Sequence, residues 1–325
     1  MKNYTVRKYL PENYEMWNAF IAKAKNATFL FHRNFMEYHA DRFTDCSLLI
    51  FEGDKLISVL PGNRTGDVVH SHQGLTYGGL VFGNRVKMSQ SIAIMQAILR
   101  FLNSEGVGKL NIKTIPAIYH LNPSGEMQYV LFLANAIKTR TDVLSVIDLT
   151  KALKIAKTRR ESIRRGERNG LIIKEEPNFK LFWDAILIPN LNAKHAASPV
   201  HSVAEIELLY ERFPQNIRHF NVYDGDQIVA GTTVFISENV AHPQYISGNA
   251  DKNALGSLDY LYHYLLTEIF GDKHFFDFGI SNEQHGRKIN SGLLFWKESF
   301  GAQPFTQDFY EVDTANYELL ENVLL

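Results

Sequence analysis

The second half of this chain repeats the element order of the first, and that constrains the fold more than any other feature of the sequence. A hairpin turn at Gly53-Asp54 returns at Gly225-Asp226, Tyr77 returns as Tyr245, and Lys109 returns as Lys273. The offsets are 225 − 53 = 172, 245 − 77 = 168 and 273 − 109 = 164, the small drift expected of two diverged copies of one module. In the first copy, helices are expected at Glu12–Lys25 and Asn34–Arg42, then a hairpin of Ser47–Phe51 and Leu56–Pro61. A strand pair at Val68–Ser71 and Leu80–Phe82 follows, then helix Ser91–Ser104, strand Lys109–Ile115, helix Ser124–Ile137 and strand Val143–Leu149. The second copy reads as strands His219–Tyr223, Gln227–Phe235 and Ala241–Ser247, helix Leu258–Phe270, strand Lys273–Gly279, helix Asn290–Ser299 and strand Asp308–Val312. Between the copies, helix Phe179–Leu191 leads into the polar loop NAKHAASPVHS and a helix over Ala204–Arg212 that Ser202 is placed to cap. The expected fold is a mixed α/β (α+β) one, duplicated in tandem. Each copy has a mostly antiparallel central sheet flanked by helices, with domains over 1–149 and 150–325.

Charge is distributed unevenly. The 325 residues carry a formal charge of −1, which argues against a DNA-binding protein, yet KALKIAKTRRESIRRGER at Lys151–Arg168 holds eight basic and two acidic residues. On a helix, Lys154, Lys157, Arg164, Arg165 and Arg168 share one face, and Asn169-Gly170 would end it. Two readings stay open: a solvated helix face between domains, or a docking surface for a polyanion such as a coenzyme pyrophosphate or RNA phosphate. The single Cys46 excludes an intramolecular disulfide or a Cys-rich metal site. His70 and His72 share a strand face but have no third ligand at short spacing, so no metal is expected. The N-terminal residues lack an apolar signal core and no run approaches a membrane span, so a cytoplasmic setting is expected.

The element order of each copy resembles the GNAT (N-acetyltransferase-related) fold. FHRNFMEYHADRF, LTYGGLVF, RRESIRRGERNG and FDFGIS…GLLFWKESFGA together resemble the FemABX-like branch of that superfamily. The resemblance implies transfer of an activated acyl or aminoacyl group to an amine on a small-molecule or cell-envelope-precursor acceptor. Acyl-CoA is the expected donor. An aminoacyl-tRNA donor is less favoured, because 171–213 has no room for the long coiled-coil arm of tRNA-dependent ligases. A non-catalytic binding protein on the same scaffold is the competing reading.

In an open GNAT-like sheet the central strands splay and receive the donor, which assigns cofactor contacts to Ile246, Ser247, Gly248, Asn249, Lys252, Gly256 and Ser257. Arg164 and Arg165 are candidates for donor phosphate. The polar segments after predicted strands offer His201 or His285 as general base, and Tyr77, His195, Tyr245, Asp277, Ser281 and Asn282 as substrate contacts. Backbone N–H groups around Ile246–Asn249 would polarise the acyl carbonyl. Phe295 stands where many GNAT enzymes carry a tyrosine acid and has no proton to give.

Overall fold

The computed structural model describes residues 4–195 and 198–324, without the side chains of Lys194 and His195. It divides into two compact units, one of Met1–Asp142 with Thr306–Leu325 and one of Val143–Phe305. The division falls at Val143, a few residues before the expected boundary, and the closing segment Thr306–Leu325, expected with the second domain, groups with the first half.

In the first unit an antiparallel sheet runs Tyr4–Lys8, Leu48–Glu52, Lys55–Leu60, Val81–Phe82. Its hairpin turns at Gly53, whose φ of +60° suits glycine. Elsewhere in the unit Val68–His70 runs parallel to Lys109–Lys113, which pairs antiparallel with the last strand, Gln303–Asp313, through Phe309–Asp313. Helix Met88–Ser104 turns Ile92, Met95, Ile98, Leu99 and Leu102 inward, the i, i+3, i+4 spacing of a one-sided helix. The expected pairing of Val68–Ser71 with Leu80–Phe82 does not form. Val81–Phe82 pairs with Lys55–Leu60 instead. The connecting loop folds back so closely that a Cβ on Gly78 would lie 1.9 Å from the Ser71 carbonyl, while the Gly78 N–H donates to Lys113 O at 2.7 Å.

The second unit has the sheet order Ile172–Glu175, Ile217–Asp224, Gln227–Ile236, Val240–Gly248, Phe275–Ile280, closed by the end of strand Ile137–Asp148. All neighbours are antiparallel except Val240–Gly248 with Phe275–Ile280. One face buries Phe220, Val234, Leu261, Tyr262, Phe276 and Phe300, and the other is covered by Phe179, Phe182, Trp183, Ile206 and Leu209. Truncating any one of these phenylalanines to alanine would cost about 3–5 kcal/mol. The helix expected at Phe179–Leu191 is interrupted by a π turn at Trp183–Leu187, just ahead of Pro189, which has no N–H to give the ladder. The basic helix starts at Lys157, later than expected, because the preceding backbone is held elsewhere: Ala156 N–H donates to Ser299 O at 2.9 Å.

Each unit therefore holds a parallel strand pair with a helix between its strands, and this is the repeat legible in the sequence. Each also closes with a strand drawn from the far end of the opposite half of the chain: Gln303–Asp313 in the first, Ile137–Asp148 in the second. A fragment of residues 143–305 should accordingly melt cooperatively by circular dichroism, whereas 150–325 should not. Equal cooperativity of the two fragments would contradict the division.

Candidate active site in the second unit

The parallel strands Val240–Gly248 and Phe275–Ile280 pair only at Val240↔Phe275 and Ala241↔Phe276, and beyond those residues they diverge. The sequence explains why. His242 places its ring between the two backbones, with Nδ1 2.8 Å from the Asp277 carbonyl oxygen and 3.4 Å from its carboxylate. Pro243 has no N–H for a ladder, and Gln244 is a bulge, since Pro243 faces Val234 while Tyr245 faces Thr233. On its other edge the strand pairs with Gln227–Ile236 on both sides of that bulge, and Asn249 N–H donates to Val229 O at 2.8 Å. The antiparallel alternation then turns the backbone groups of Ile246 and Gly248 toward the opening.

Lys297 stands beside the opening. It projects from helix Ser291–Glu298, whose first turn is capped by Asn290 Oδ1 accepting from Leu293 N–H at 3.0 Å. Its Nζ donates to Gly279 O at 2.9 Å and to Ile280 O at 2.6 Å, and the residue is only 2% exposed. Burial pushes its pKa down to about 8, against the opposing pull of the Asp277 carboxylate. An ammonium has three donors and the two carbonyls take two of them, leaving one for a developing negative charge. Gly279 has φ +71°, and a Cβ there would sit 3.1 Å from the His242 ring. Asp277 Oδ1 accepts from Gly279 N–H at 2.8 Å, which fixes the turn that presents both carbonyls to Lys297.

The far face of the strand carries a second constellation. Tyr245 and His201 meet Oη to Nδ1 at 2.5 Å, and the His201 N–H donates to the same hydroxyl at 3.1 Å. Trp183 lies edge-on to Tyr245 at 4.9 Å. Asn190 Nδ2 donates to Ser247 Oγ at 2.8 Å and to Gly248 O at 2.6 Å.

Several expectations change on this geometry. His201 is buried and bound to Tyr245, so it positions that tyrosine and does not present itself as a free base. His285 sits exposed in the turn between strands Asn282–Glu283 and Lys288–Ile289, so the two histidine candidates lie on separate elements. Asn249 N–H is spent on Val229, which leaves Ile246 and Gly248 as the backbone donors. The Gly256 loop does not fit a pyrophosphate. A Cβ there would meet Ser162 O of the basic helix at 2.3 Å, and Arg165 Nη1 already donates to Asn253 O at 2.6 Å. Lys252 lays its stem over Gly248, its Cβ 3.0 Å from where a Gly248 Cβ would be. Ser257 Oγ and Ser281 Oγ are buried without hydrogen-bond partners, as is Asn249 Oδ1. Asn282 Oδ1 accepts from Val143 N–H at 2.7 Å, a structural bond that ties the first strand of the unit in place. Tyr77 belongs to the core of the first unit, where its hydroxyl donates to Thr28 Oγ1 at 3.0 Å. The His195 side chain lies outside the described residues. Arg164 is exposed on the basic helix. His72 leaves the strand face expected for it, because the strand ends at His70 and His72 turns to φ +66°.

Lys297, His242 and Asn190 were not anticipated. The signal for Lys297 is present in GLLFWKESFGA: a lone lysine beside Trp296 and three residues before Phe300, on the stripe that an amphipathic helix would bury.

Residues 156–287 match the family model for the acetyltransferase (GNAT) domain. The matched segment falls wholly within the second unit, which is thus similar to a GNAT domain. The chain is similar in fold to FemX at 9% identity and TM-score 0.65, with 94% of this chain and 96% of that one covered. It is also similar to L-PGS from Bacillus licheniformis at 13% identity and TM-score 0.60, covering 94% and 92%. A tandem GNAT protein from the clavulanic acid biosynthesis pathway matches at 10% identity and TM-score 0.50, covering 96% and 99%. No curated protein sequence matches. These likenesses place the chain on the FemX-like form of the GNAT fold, a mixed α/β architecture. No helix among the described residues is long and apolar enough to cross a membrane.

The packing of Gly256 against the basic helix gives a stability test. Gly256→Ala places a side chain at φ +72° and against the Ser162 carbonyl, and should cost about 1–3 kcal/mol in urea unfolding. An unchanged midpoint would show that the two segments are not in contact.

Proposed function

We propose that the second unit transfers an activated acyl or aminoacyl group to an amine, with the reacting carbonyl in the opening between Val240–Gly248 and Phe275–Ile280. The observation that carries this reading is Lys297, a buried ammonium with a donor to spare at the edge of that opening. The acceptor amine attacks the ester or thioester carbonyl directly, and the carbonyl oxygen gains the negative charge of a tetrahedral intermediate. Lys297 and the N–H groups of Ile246 and Gly248 stabilise that charge as it forms. Collapse of the intermediate expels the carrier alcohol or thiol and leaves an amide, with no covalent enzyme intermediate. The acceptor is an amine of a small molecule or cell-envelope precursor, handled in the cytoplasm.

The donor is acyl-CoA in the first reading, its phosphates held away from the filled Gly256 loop. The exposed arginines of helix Lys157–Arg168 offer the surface: Arg160, Arg164 and Arg168 recur every fourth residue and make no ion pairs among the described residues. That stripe runs about 12 Å. Its length and the filled loop together favour a second reading, an aminoacyl ester carried on RNA, over a carrier read only at its diphosphate.

The test is amide formation from acyl-CoA and from aminoacyl-tRNA with primary-amine acceptors, followed by mass spectrometry. Lys297→Met should lower kcat by about 10²–10³-fold in a folded protein. Because the charged form is the one that works, the wild-type rate should fall as pH rises through about 8, and Lys297→Arg should move that limb upward. A Lys297→Met variant as active as wild type, or no amide from either donor, would reject the proposal. Charge reversal of Arg160 and Arg164 should raise KM for the productive donor and flatten its salt dependence.

A further inference from the structure

The first unit contains a cavity that the transfer chemistry does not use. It measures about 170 Å³ and is lined by His70, His72, Gln73, Asn111, Lys113 and Phe309, among others, all within the first unit. That is close to the roughly 150 Å³ that admits one six-membered ring.

Its walls are built for a polar guest. Asn111 and Lys113 alternate with the core residues Leu110 and Ile112 along strand Lys109–Lys113, so both face away from the apolar core. Phe309 sits directly across from Lys113 in the ladder. His72 is held in the left-handed region at φ +66°, is 4% exposed and lines the cavity, yet its Nδ1 has no hydrogen-bond partner. Asn111 Oδ1 is likewise buried without one. Orphaned polar atoms of this kind cost free energy unless something completes them.

The charge at the wall is equally incomplete. Lys113 donates one hydrogen bond to the Leu75 carbonyl and makes no ion pair among the described residues. Asp142, the acid whose field it feels, is committed to Arg140 through an Nη2–Oδ2 contact of 2.6 Å. Burial and the Arg140 charge push the Lys113 pKa down to about 8 against the pull of Asp142, and His70 and His72 beside it, both lowered by burial, add no further positive charge at neutral pH. With Asp142 shared with Arg140, an ammonium in that position is compensated in full by an anion from outside.

We propose that this cavity binds a small hydroxylated carboxylate of one-ring size, a sugar acid or hydroxy acid, independently of the acyl-transfer site. The carboxylate pairs with Lys113, a hydroxyl donates to Asn111 Oδ1, a second meets His72 Nδ1, and the apolar face of the molecule rests on Phe309.

Calorimetry on the full chain at neutral pH tests this with D-glucuronate, D-glucose and inorganic phosphate as probes. Glucuronate should bind with one-to-one stoichiometry, and glucose and phosphate at least about tenfold more weakly, since each offers only half of the recognition. Lys113→Met should lower glucuronate affinity by about tenfold or more while amide-forming activity at Lys297 persists. Should Lys113→Met fail to fold, Asn111→Asp serves in its place. It keeps the side-chain shape and sets a negative charge against the guest, and should abolish binding. No glucuronate binding to wild type, equal binding of glucose or of phosphate, or wild-type affinity in the folded variant would each overturn the proposal. The glucuronate affinities are read at residues of the first unit alone, so their failure leaves the acyl-transfer reading standing, and the converse holds as well.

Discussion

The second unit depends on the early parting of two parallel strands. A continuous ladder between Val240–Gly248 and Phe275–Ile280 would leave no free backbone and no space at the middle of the sheet. Three adjacent features prevent it: the His242 ring across to Asp277, Pro243 without an N–H, and the bulge at Gln244. The opened edge then has to be held. Asp277 fixes the turn at Gly279, and Lys297 ties the Gly279 and Ile280 carbonyls to the helix behind them. The same bonds that hold the opened edge bring a cation to it, so in the proposed reaction architecture and chemistry share one set of residues.

Around this opening the chain uses close backbone contact. Gly166 and Gly256 let the basic helix approach the start of helix Ser257–Tyr264, where a Cβ on Gly166 would lie 2.5 Å from Tyr260 Cβ. Arg159 reaches the same helix through Asp259, at 2.5 Å, and the Trp296 indole N–H donates to that carboxylate at 2.7 Å. Part of the basic segment is thus structural cement, with Arg159 and Arg165 committed inward, while Arg160, Arg164 and Arg168 remain on the surface. A helix wheel cannot separate these two groups, because the partners, the Asp259 carboxylate and the Asn253 carbonyl, lie far away in the sequence.

Much of the fold was legible because hydrophobic periodicity and turn residues are local signals. The hairpins at Gly53 and Gly225, the helix Met88–Ser104 and the cap at Ser202 all follow from residues within a few positions of one another. What was not legible depends on distant partners. Nothing near Val68 says that the strand Val81–Phe82 will pair with Lys55–Leu60, and nothing near Tyr77 says that Thr28 awaits its hydroxyl. The site shows the same division. The expectation of an opening at Ile246–Gly248 rests on the order of elements, whereas the surroundings of His201, Gly256 and Lys297 are set by Tyr245, Ser162 and the Gly279 carbonyl.

The central claim is that the opening between the diverging strands receives the activated carbonyl beside Lys297. The most direct measurement is amide-proton NMR of the full chain titrated with a non-reactive analogue of the donor that supports turnover. The account predicts that the Ile246 and Gly248 amide signals move together and become protected from exchange, with the Lys297 side chain responding at the same analogue concentration. Saturation of the protein with those signals unmoved, and the perturbation confined to other strands, would contradict it.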